Sequence, residues 1–196
     1  MQARFLALPL AVLLTAALSA CSPESSTGSA SAPAPIAQGQ AYDAVAASAK
    51  GFTAGALMGA NPVYVLFDPQ CPHCSHLWEA SLPLHSKVKF IWTPVSLLGA
   101  KSLPQGAALL QAANPVEAMT LHEKSLLAGQ GGMAASASIP AEIEDAIKAN
   151  TRLLDSLGAS SVPYIVAKNT QTGQVVTRAG AMDTQALAQL LGVSAN

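Results

Sequence analysis

The chain has few charges, no excess of either charge sign and few cysteines. Only 11% of its 196 residues are charged, and 10 Lys and Arg stand against 11 Asp and Glu, which gives a formal net charge of −1. No basic patch appears, so nucleic-acid binding has no electrostatic support. After residue 20 no apolar run is long enough to cross a membrane as a helix. These absences leave a globular domain whose function must be sought in a few specific residues.

The three cysteines are Cys21, Cys71 and Cys74. The last two form a C-x-x-C motif, and the sequence offers no other cysteines for a structural disulfide framework. A disulfide between them closes a very short loop and adds little stability. We therefore expect the pair to take part in a reaction. The alternative is a plain structural disulfide.

The N-terminus has the pattern of an export signal. Arg4 precedes an apolar run over residues 5–18, and small residues lead to Cys21. This order resembles a bacterial lipobox, so we expect a signal peptide over residues 1–20 and a lipid on Cys21. The alternative is an ordinary secretory peptide with an incidental cysteine. Either pattern predicts export to a compartment where disulfides persist, and Ser22 resembles the sorting signal for the outer membrane.

Two further segments follow the predicted signal. Residues 21–40 are mostly Ser, Ala, Pro and Gly. Such a segment buries too little apolar area to offset its ordering entropy, which predicts a disordered tether. Residues 41–196 then form one domain of ordinary size.

The hydrophobic patterns within that domain predict an α/β fold. We expect strands at 63–67, 87–95, 164–167 and 175–178, and helices at 42–50, 72–82, 102–110, from 115, 140–157 and after 183. Ser102 and Asn114 are predicted N-caps, and Gly158 is a predicted helix end. This order predicts a thioredoxin-like layout with a mixed central sheet and an inserted helical subdomain at about 102–158.

The C-x-x-C motif follows a predicted central strand and opens a predicted helix. Cys71 is then expected at the cap position, where free amides and the helix dipole favour a thiolate. Pro72 suits the first helical position, and His73 is expected to tune the pair. Such settings lower a cysteine pKa from ~8.5 to roughly 3.5–7.5. We therefore expect Cys71 to exchange disulfides and Cys74 to resolve the mixed disulfide.

Other residues are candidates for the same site. Pro163 opens a predicted strand, and in this layout it would be a cis-proline facing the motif. Zinc is an alternative for the cysteines, but Cys71, Cys74 and His76 supply only three of the usual four ligands. We expect no metal and no cofactor beyond the cysteine pair. His85 and His122 are expected to be surface or hydrogen-bonded polar residues.

Two segments carry a resemblance to a known family. Residues 64–74, with Leu77 and Trp78, and residues 153–159, with Val162 and Pro163, resemble the DsbC/DsbG branch of periplasmic thiol:disulfide interchange proteins. The resemblance runs from about residue 62 to 191, and DsbG is the nearer of the two. It implies that Cys71 is the nucleophile, that Cys74 resolves, and that Pro163 and the Val162 backbone form a groove in which a bound peptide adds a strand.

The sequence departs from this branch at three points. His73 stands in a Pro-His dipeptide, as in the oxidase DsbA, where DsbG has Pro-Tyr. Val162 replaces a threonine before the proline, and no N-terminal dimerisation domain is recognised. We therefore expect a monomer, with the oxidising or reducing direction open. The expected partners are exported proteins that contain cysteine and a membrane redox partner. The competing function is a chaperone-like binder or a metal carrier.

Overall fold

The computed structural model describes residues 35–134 and 138–195. The predicted signal peptide, Cys21 and most of the predicted tether lie outside these residues. The first helix, α1, spans Gln38–Ser48 and thus begins inside the segment predicted as tether. Just before it, the Ile36 N–H donates to the Ser156 carbonyl at 2.7 Å. Tertiary contacts therefore order the chain earlier than its composition indicates.

A five-stranded mixed sheet forms the centre of the fold. Its strands are β1 Phe52–Gly55, β2 Val63–Phe67, β3 Lys89–Pro94, β4 Tyr164–Lys168 and β5 Val175–Ala179. The spatial order is β1-β3-β2-β4-β5. The pair β2–β3 is parallel, and the other three pairs are antiparallel. All five residues of β2 are buried, as expected for a continuous apolar strand covered on both faces.

Helices cover the sheet and extend beyond it. They are α1, α2 Pro72–Ser81 with a 3₁₀ turn at Leu82–Leu84, α3 Ser102–Gln111, α4 Pro115–Leu127, α5 Ala141–Ser156 and α6 Thr184–Leu191. The three helices α3, α4 and α5 lie between β3 and β4 in the chain. They form the helical insertion that the sequence predicts, and the α/β class with a mixed sheet is confirmed.

The predicted helix ends are mostly confirmed. The Asn114 side chain accepts from the Glu117 amide at the start of α4, and Gly158 follows α5 with a φ of +71° that favours glycine. The prediction for Ser102 is wrong. Lys101 occupies the cap position of α3, and Ser102 is the first helical residue. Its hydroxyl is buried without a hydrogen-bond partner among the described residues.

An aromatic cluster fixes α2 on the sheet. Trp78 of α2 is 1% exposed and meets Trp92 of β3 edge-on, with 5.1 Å between ring centroids. Phe67 at the end of β2 and Phe52 of β1 complete the cluster. Strand β1 was not predicted from the sequence. Because edge-on aromatic packing is directional as well as apolar, this cluster sets where the first turn of α2 lies. Within the described ranges, no helix is both long and apolar enough to cross a membrane.

Candidate active site

The candidate site begins where β2 ends. Asp68 follows β2 directly, is fully buried, and accepts hydrogen bonds from three backbone amides. Its Oδ1 accepts from Gln70 at 2.8 Å, and its Oδ2 accepts from Leu97 at 2.7 Å and Leu98 at 3.0 Å. The carboxylate therefore ties the loop that leads into the C-x-x-C motif to the loop that follows β3.

The two cysteines occupy the first turn of α2. Cys71 is the N-cap residue and Pro72 stands at the start of the helix, as predicted. Cys71 is 4% exposed and Cys74 is fully buried, and both are free thiols. The Cys71 amide donates to the Asp68 carbonyl at 3.0 Å, which closes the turn into the helix. The sequence prediction for the position of this pair is confirmed.

The environment of Cys71 favours its thiolate. Its pKa is lowered to about 6, chiefly because the Cys74 thiol donates a hydrogen bond to its sulfur. The backbone amides of Cys74 and His73 and the charge of the His73 ring add to this effect, whereas burial opposes it. Among the described residues, no backbone amide makes a capping hydrogen bond of ordinary geometry to this sulfur. The amides therefore act as dipoles at longer range, in the manner of a helix N-terminus.

Cys74 has the opposite ionisation. Burial raises its pKa well above that of an ordinary cysteine, and the hydrogen bond that it donates to Cys71 raises it further. The interior penalises a charged sulfur because it offers no water to solvate it. At neutral pH the pair therefore consists of one thiolate at the helix start and one thiol inside the protein.

A cis-proline lies next to the cysteines. The Val162–Pro163 peptide bond is cis, as predicted. The Cys71 sulfur lies 3.5 Å from the Val162 carbonyl oxygen, and both Val162 and Pro163 are buried. The fold thus brings together two segments that lie far apart in the sequence.

A polar network attaches the helical insertion to the loop before the motif. His122 of α4 is fully buried, its Nε2 donates to the Pro69 carbonyl at 2.7 Å, and its Nδ1 accepts from the Met133 amide at 3.0 Å. The Gln105 side chain donates to the carbonyls of Gly131 and Met133 at 2.9 and 2.8 Å. The expectation that His122 is a hydrogen-bonded polar residue is confirmed. Its position beside the site was not foreseen.

Glu123 is a buried acid that sequence reasoning missed. It is 1% exposed, and its Oε2 accepts a hydrogen bond from the Ser75 hydroxyl, one residue after Cys74. Met119, His122 and Glu123 are the buried residues of α4. Glu123 stands four residues after Met119, and therefore on the same face of the helix. A charged residue on an apolar face is the signal that could have revealed it.

The described residues do not gather a metal site. Among residues 35–134 and 138–195, no three His, Cys, Asp or Glu side chains are placed to hold a metal ion. His76 is exposed on α2. His85 packs against the Trp78 ring, and its Nε2 lies 3.2 Å from the Ser81 hydroxyl. Its pKa is lowered by burial. His85 is therefore a hydrogen-bonded polar residue, as the sequence indicates.

The fold and the site together define the structural class. A periplasmic thioredoxin-like protein from Salmonella enterica serovar Typhimurium superposes with a TM-score of 0.57 at 19% identity, covering 72% of this chain and 87% of that structure. The domain therefore has a thioredoxin-like fold, with the cysteine pair at the start of α2 and the cis-proline beside it. No protein-family model matches the chain.

Two curated relatives show which known proteins the sequence is similar to. The thiol:disulfide interchange protein DsbG of Pseudomonas aeruginosa is 32% identical over 136 residues, which cover 66% of this chain and 50% of that protein. DsbG of Escherichia coli K12 is 28% identical over 134 residues, covering 66% of this chain and 52% of the relative. The chain spans about half the length of the curated relatives it matches, and the similarity to DsbG agrees with the resemblance seen in the sequence.

Proposed function

We propose that this protein is an extracytoplasmic thiol:disulfide oxidoreductase that exchanges disulfides with exported proteins through Cys71 and Cys74. One observation carries the proposal, namely that the two cysteines lie one helical turn apart, Cys71 at the N-cap of α2 and Cys74 fully buried. The Cys71 pKa is lowered to about 6, whereas that of Cys74 is raised. Thiolates are the attacking species in disulfide exchange. We therefore expect Cys71 to attack first and Cys74 to attack in the second step.

The exchange then runs in two balanced steps. The Cys71 thiolate attacks a substrate disulfide, one sulfur–sulfur bond forms as another breaks, and one substrate sulfur leaves as a thiolate. Cys74 next loses its proton and attacks Cys71, so that the intramolecular disulfide forms and the second substrate thiolate leaves. The substrate is reduced and the cysteine pair is oxidised. The same steps in reverse oxidise a substrate dithiol.

The groove residues have supporting roles in this proposal. The Val162 backbone pairs with a substrate segment as an added strand, and Pro163 shapes the surface beside the Cys71 sulfur. The 3.5 Å between that sulfur and the Val162 carbonyl oxygen supports this assignment. Pro72 starts the helix without an orphan amide, and His73 lowers the Cys71 pKa.

The direction of exchange depends on the reduction potential of the pair. A stabilised thiolate makes the reduced form more stable and the disulfide more oxidising, which favours oxidation of exported dithiols. Similarity to DsbG favours the reducing direction by analogy. Measuring the equilibrium with glutathione separates the two. A potential near that of strong oxidants would assign oxidation, and one near that of thioredoxin would assign reduction.

The proposed setting is the periplasm. Removal of residues 1–20 would leave Cys21 as a lipidated N-terminus that anchors the domain to the inner face of the outer membrane through the tether. A membrane redox partner would restore the cysteine pair after each turnover, and the domain would act as a monomer. Cys21→Ala tests the anchor, because it should abolish labelling by a radioactive fatty acid and release the protein from membranes.

The central experiment compares insulin reduction and dithiol-peptide oxidation by the wild type, Cys71→Ser and His76→Ala. Cys71→Ser should lose both activities, and His76→Ala should keep them because this exposed residue lies on the same helix outside the pair. If Cys71→Ser matched the wild type in both assays, the enzymatic proposal would be wrong. Loss of activity in His76→Ala, together with bound metal in the reduced wild type, would instead support the metal carrier.

A further inference from the structure

The end of the sheet opposite the cysteine pair takes no part in the exchange. Strands β2 and β3 begin there and β4 ends there, which places Lys89 and Lys168 at this end. Cys71 follows the other end of β2. At about 3.3 Å per residue, the five residues of β2 separate the two ends by roughly 13 Å. A surface at this end can therefore bind a partner without covering Cys71.

Three lysines surround a cavity at this end. Lys87, Lys89 and Lys168 line it, its volume is about 220 Å³, and no acidic side chain is among its lining residues. These are three of the 10 Lys and Arg in the chain. The sequence shows no basic patch because Lys168 is distant from the other two along the chain, and only the fold brings them together.

The positive charge of these lysines is largely uncompensated. Lys87 Nζ donates to the Ser194 hydroxyl at 2.9 Å, which is a neutral partner. Lys168 Nζ lies 3.5 Å from the Asp43 carboxylate, whose side chain is 81% exposed. Among the described residues no acid pairs with Lys87 or Lys89. One exposed acid thus stands against three lysines, and the local charge is positive although the whole chain is close to neutral.

An exposed apolar turn adjoins the lysines. Leu57 and Met58, between β1 and β2, are 73% and 96% exposed, more than any other large apolar side chain of the described residues. The next residue, Gly59, lines the same cavity, and a Cβ on it would lie 3.0 Å from the Lys89 Cβ. The turn and the three lysines therefore form one surface, here called the basic end.

The first helix also begins at this end of the sheet. The Gln38 side chain at the start of α1 donates to the Val175 carbonyl at 3.3 Å, and Val175 pairs with Lys168 in the sheet. The chain that leads from Cys21, the proposed anchor, thus enters the domain beside the basic end. An anchor linked to this end would raise its effective concentration at a membrane, so that even weak binding there suffices.

We infer that the basic end docks on a bilayer surface that contains anionic phospholipids. The three lysines would contact the phosphate groups of the lipids, and Leu57 and Met58 would enter the boundary between headgroups and acyl chains. Basic residues near an anionic bilayer are attracted to it, and exposed apolar side chains beside them strengthen such binding. In this orientation Cys71 faces away from the bilayer, towards exported proteins. The inference goes beyond the proposed exchange activity.

Vesicle sedimentation tests the docking without the lipid anchor. The protein lacks residues 1–20, which the proposed processing removes, carries Cys21→Ser, and keeps every residue that the structure describes. It should sediment with vesicles of phosphatidylcholine and phosphatidylglycerol but not with phosphatidylcholine alone. Binding should weaken as salt is added, because salt screens exposed charges. Absence of binding to the anionic vesicles, or equal binding to both kinds, would overturn the inference.

Two charge-matched variants locate the surface. Lys87→Gln combined with Lys89→Gln should weaken binding about 25-fold, since each basic residue near an anionic surface contributes about fivefold. Lys101→Gln combined with Lys124→Gln removes the same charge from exposed positions elsewhere and should leave binding unchanged. Thermal unfolding checks that both variants fold. Equal weakening in the two, or self-association without vesicles that only the first variant loses, would overturn the inference, the latter by assigning the surface to a second copy.

Tryptophan fluorescence tests whether the apolar turn enters the bilayer. Trp78 and Trp92 are 1% and 0% exposed, so they add a nearly constant background. With anionic vesicles, the emission of Leu57→Trp should shift to shorter wavelength and be quenched by brominated lipid. Leu121→Trp, at another exposed apolar position, should show neither effect. No change in Leu57→Trp would contradict docking by this end.

These measurements do not depend on disulfide exchange. Failure in the insulin and peptide assays would therefore count against the proposed function and leave the docking surface standing. Conversely, loss of vesicle binding with full exchange activity would refute the docking surface alone.

Discussion

Cys71 and Cys74 belong to one four-residue motif and have opposite chemistry. Both residues are buried, with exposures of 4% and 0%. Cys71 nevertheless favours its thiolate because a thiol donates to it and amides face it at the helix start. Cys74 lies one turn further in, where burial, the hydrogen bond that it donates to Cys71 and nearby negative charge favour its neutral thiol. The difference shows that the hydrogen-bond donors directed at a cysteine sulfur, rather than its solvent exposure, determine whether it ionises.

The largest expected effect comes from removing each sulfur in turn. With a substrate disulfide, Cys74→Ser should form the mixed disulfide at Cys71 and then stop, because no second thiol can resolve it. Cys71→Ser should form none, since the remaining thiol is buried and its pKa is raised. Mass spectrometry under non-reducing conditions reads both outcomes. Trapping by Cys71→Ser rather than by Cys74→Ser would reverse the roles assigned here.

The next effect concerns the loop that holds Cys71 in place. Asp68→Asn replaces one carboxylate oxygen by a donor that faces backbone amides. It should lower the free energy of unfolding by ~1–3 kcal/mol, because a buried donor is left unpaired. Urea unfolding measures this change. Asp43→Asn removes only an exposed ion pair to Lys168, which is worth about 0–1 kcal/mol, and serves as the control. Equal losses in the two variants would show that the Asp68 contacts add nothing specific.

The stability of the reduced protein should also depend on pH through Glu123. Its pKa rises from 4.5 to about 8 on folding, so between these values the folded state holds a proton that the unfolded chain releases. The stability contributed by this proton is complete below about pH 4.5 and is lost as the pH rises through 8. Cys71 contributes with the opposite sign between about pH 6 and 9, because its pKa is lowered on folding.

Glu123→Gln isolates this contribution from that of Cys71. The difference in unfolding free energy between wild type and variant should fall by ~1 kcal/mol or more from pH 5 to 8, since one pKa unit corresponds to about 1.4 kcal/mol. Denaturant unfolding at several pH values checks the slope. A difference that stays constant over this range would show that Glu123 titrates as an ordinary exposed acid.

The smallest effect is that of His73. Its ring charge is the last of the causes that lower the Cys71 pKa. His73→Ala should therefore raise that pKa by less than ~1 unit, with the amides and the Cys74 thiol still in place. His76→Ala, also exposed on α2 and about one turn further along the helix, is the control. A shift of several units in His73→Ala would make the histidine, rather than the helix start, the main source of the thiolate.

The sequence predicted what depends on local patterns. Strand β2 was predicted with its observed bounds, because five consecutive apolar β-formers lie between Pro62 and Asp68. The Asn114 cap and the helix end at Gly158 follow from residue types with strong backbone preferences. The cis bond at Pro163 was predicted from its place in the layout. The strand, the cap and the helix end need no knowledge of distant parts of the chain, whereas the cis bond follows from the fold class.

The features that were missed depend on distant contacts. Strand β1 is four residues long, ends in Gly55 and exists through its antiparallel pairing with β3. Glu123 is separated from Ser75 by 48 positions, so its burial follows from the packing of α4 on α2. Ser102 has the right residue type for a cap but stands one position inside the helix. Pairing and burial of this kind cannot be read from local composition.

Titration of the thiolate absorbance in the reduced protein tests the difference between the two cysteines most directly. We expect one inflection at about pH 6 from Cys71 and no second thiolate until the pH is well above the pKa of an ordinary cysteine. Cys71→Ser should remove the first inflection. A single inflection near ~8.5, the pKa of a free cysteine, would show that Cys71 is not a thiolate at neutral pH and that the two cysteines do not differ in ionisation.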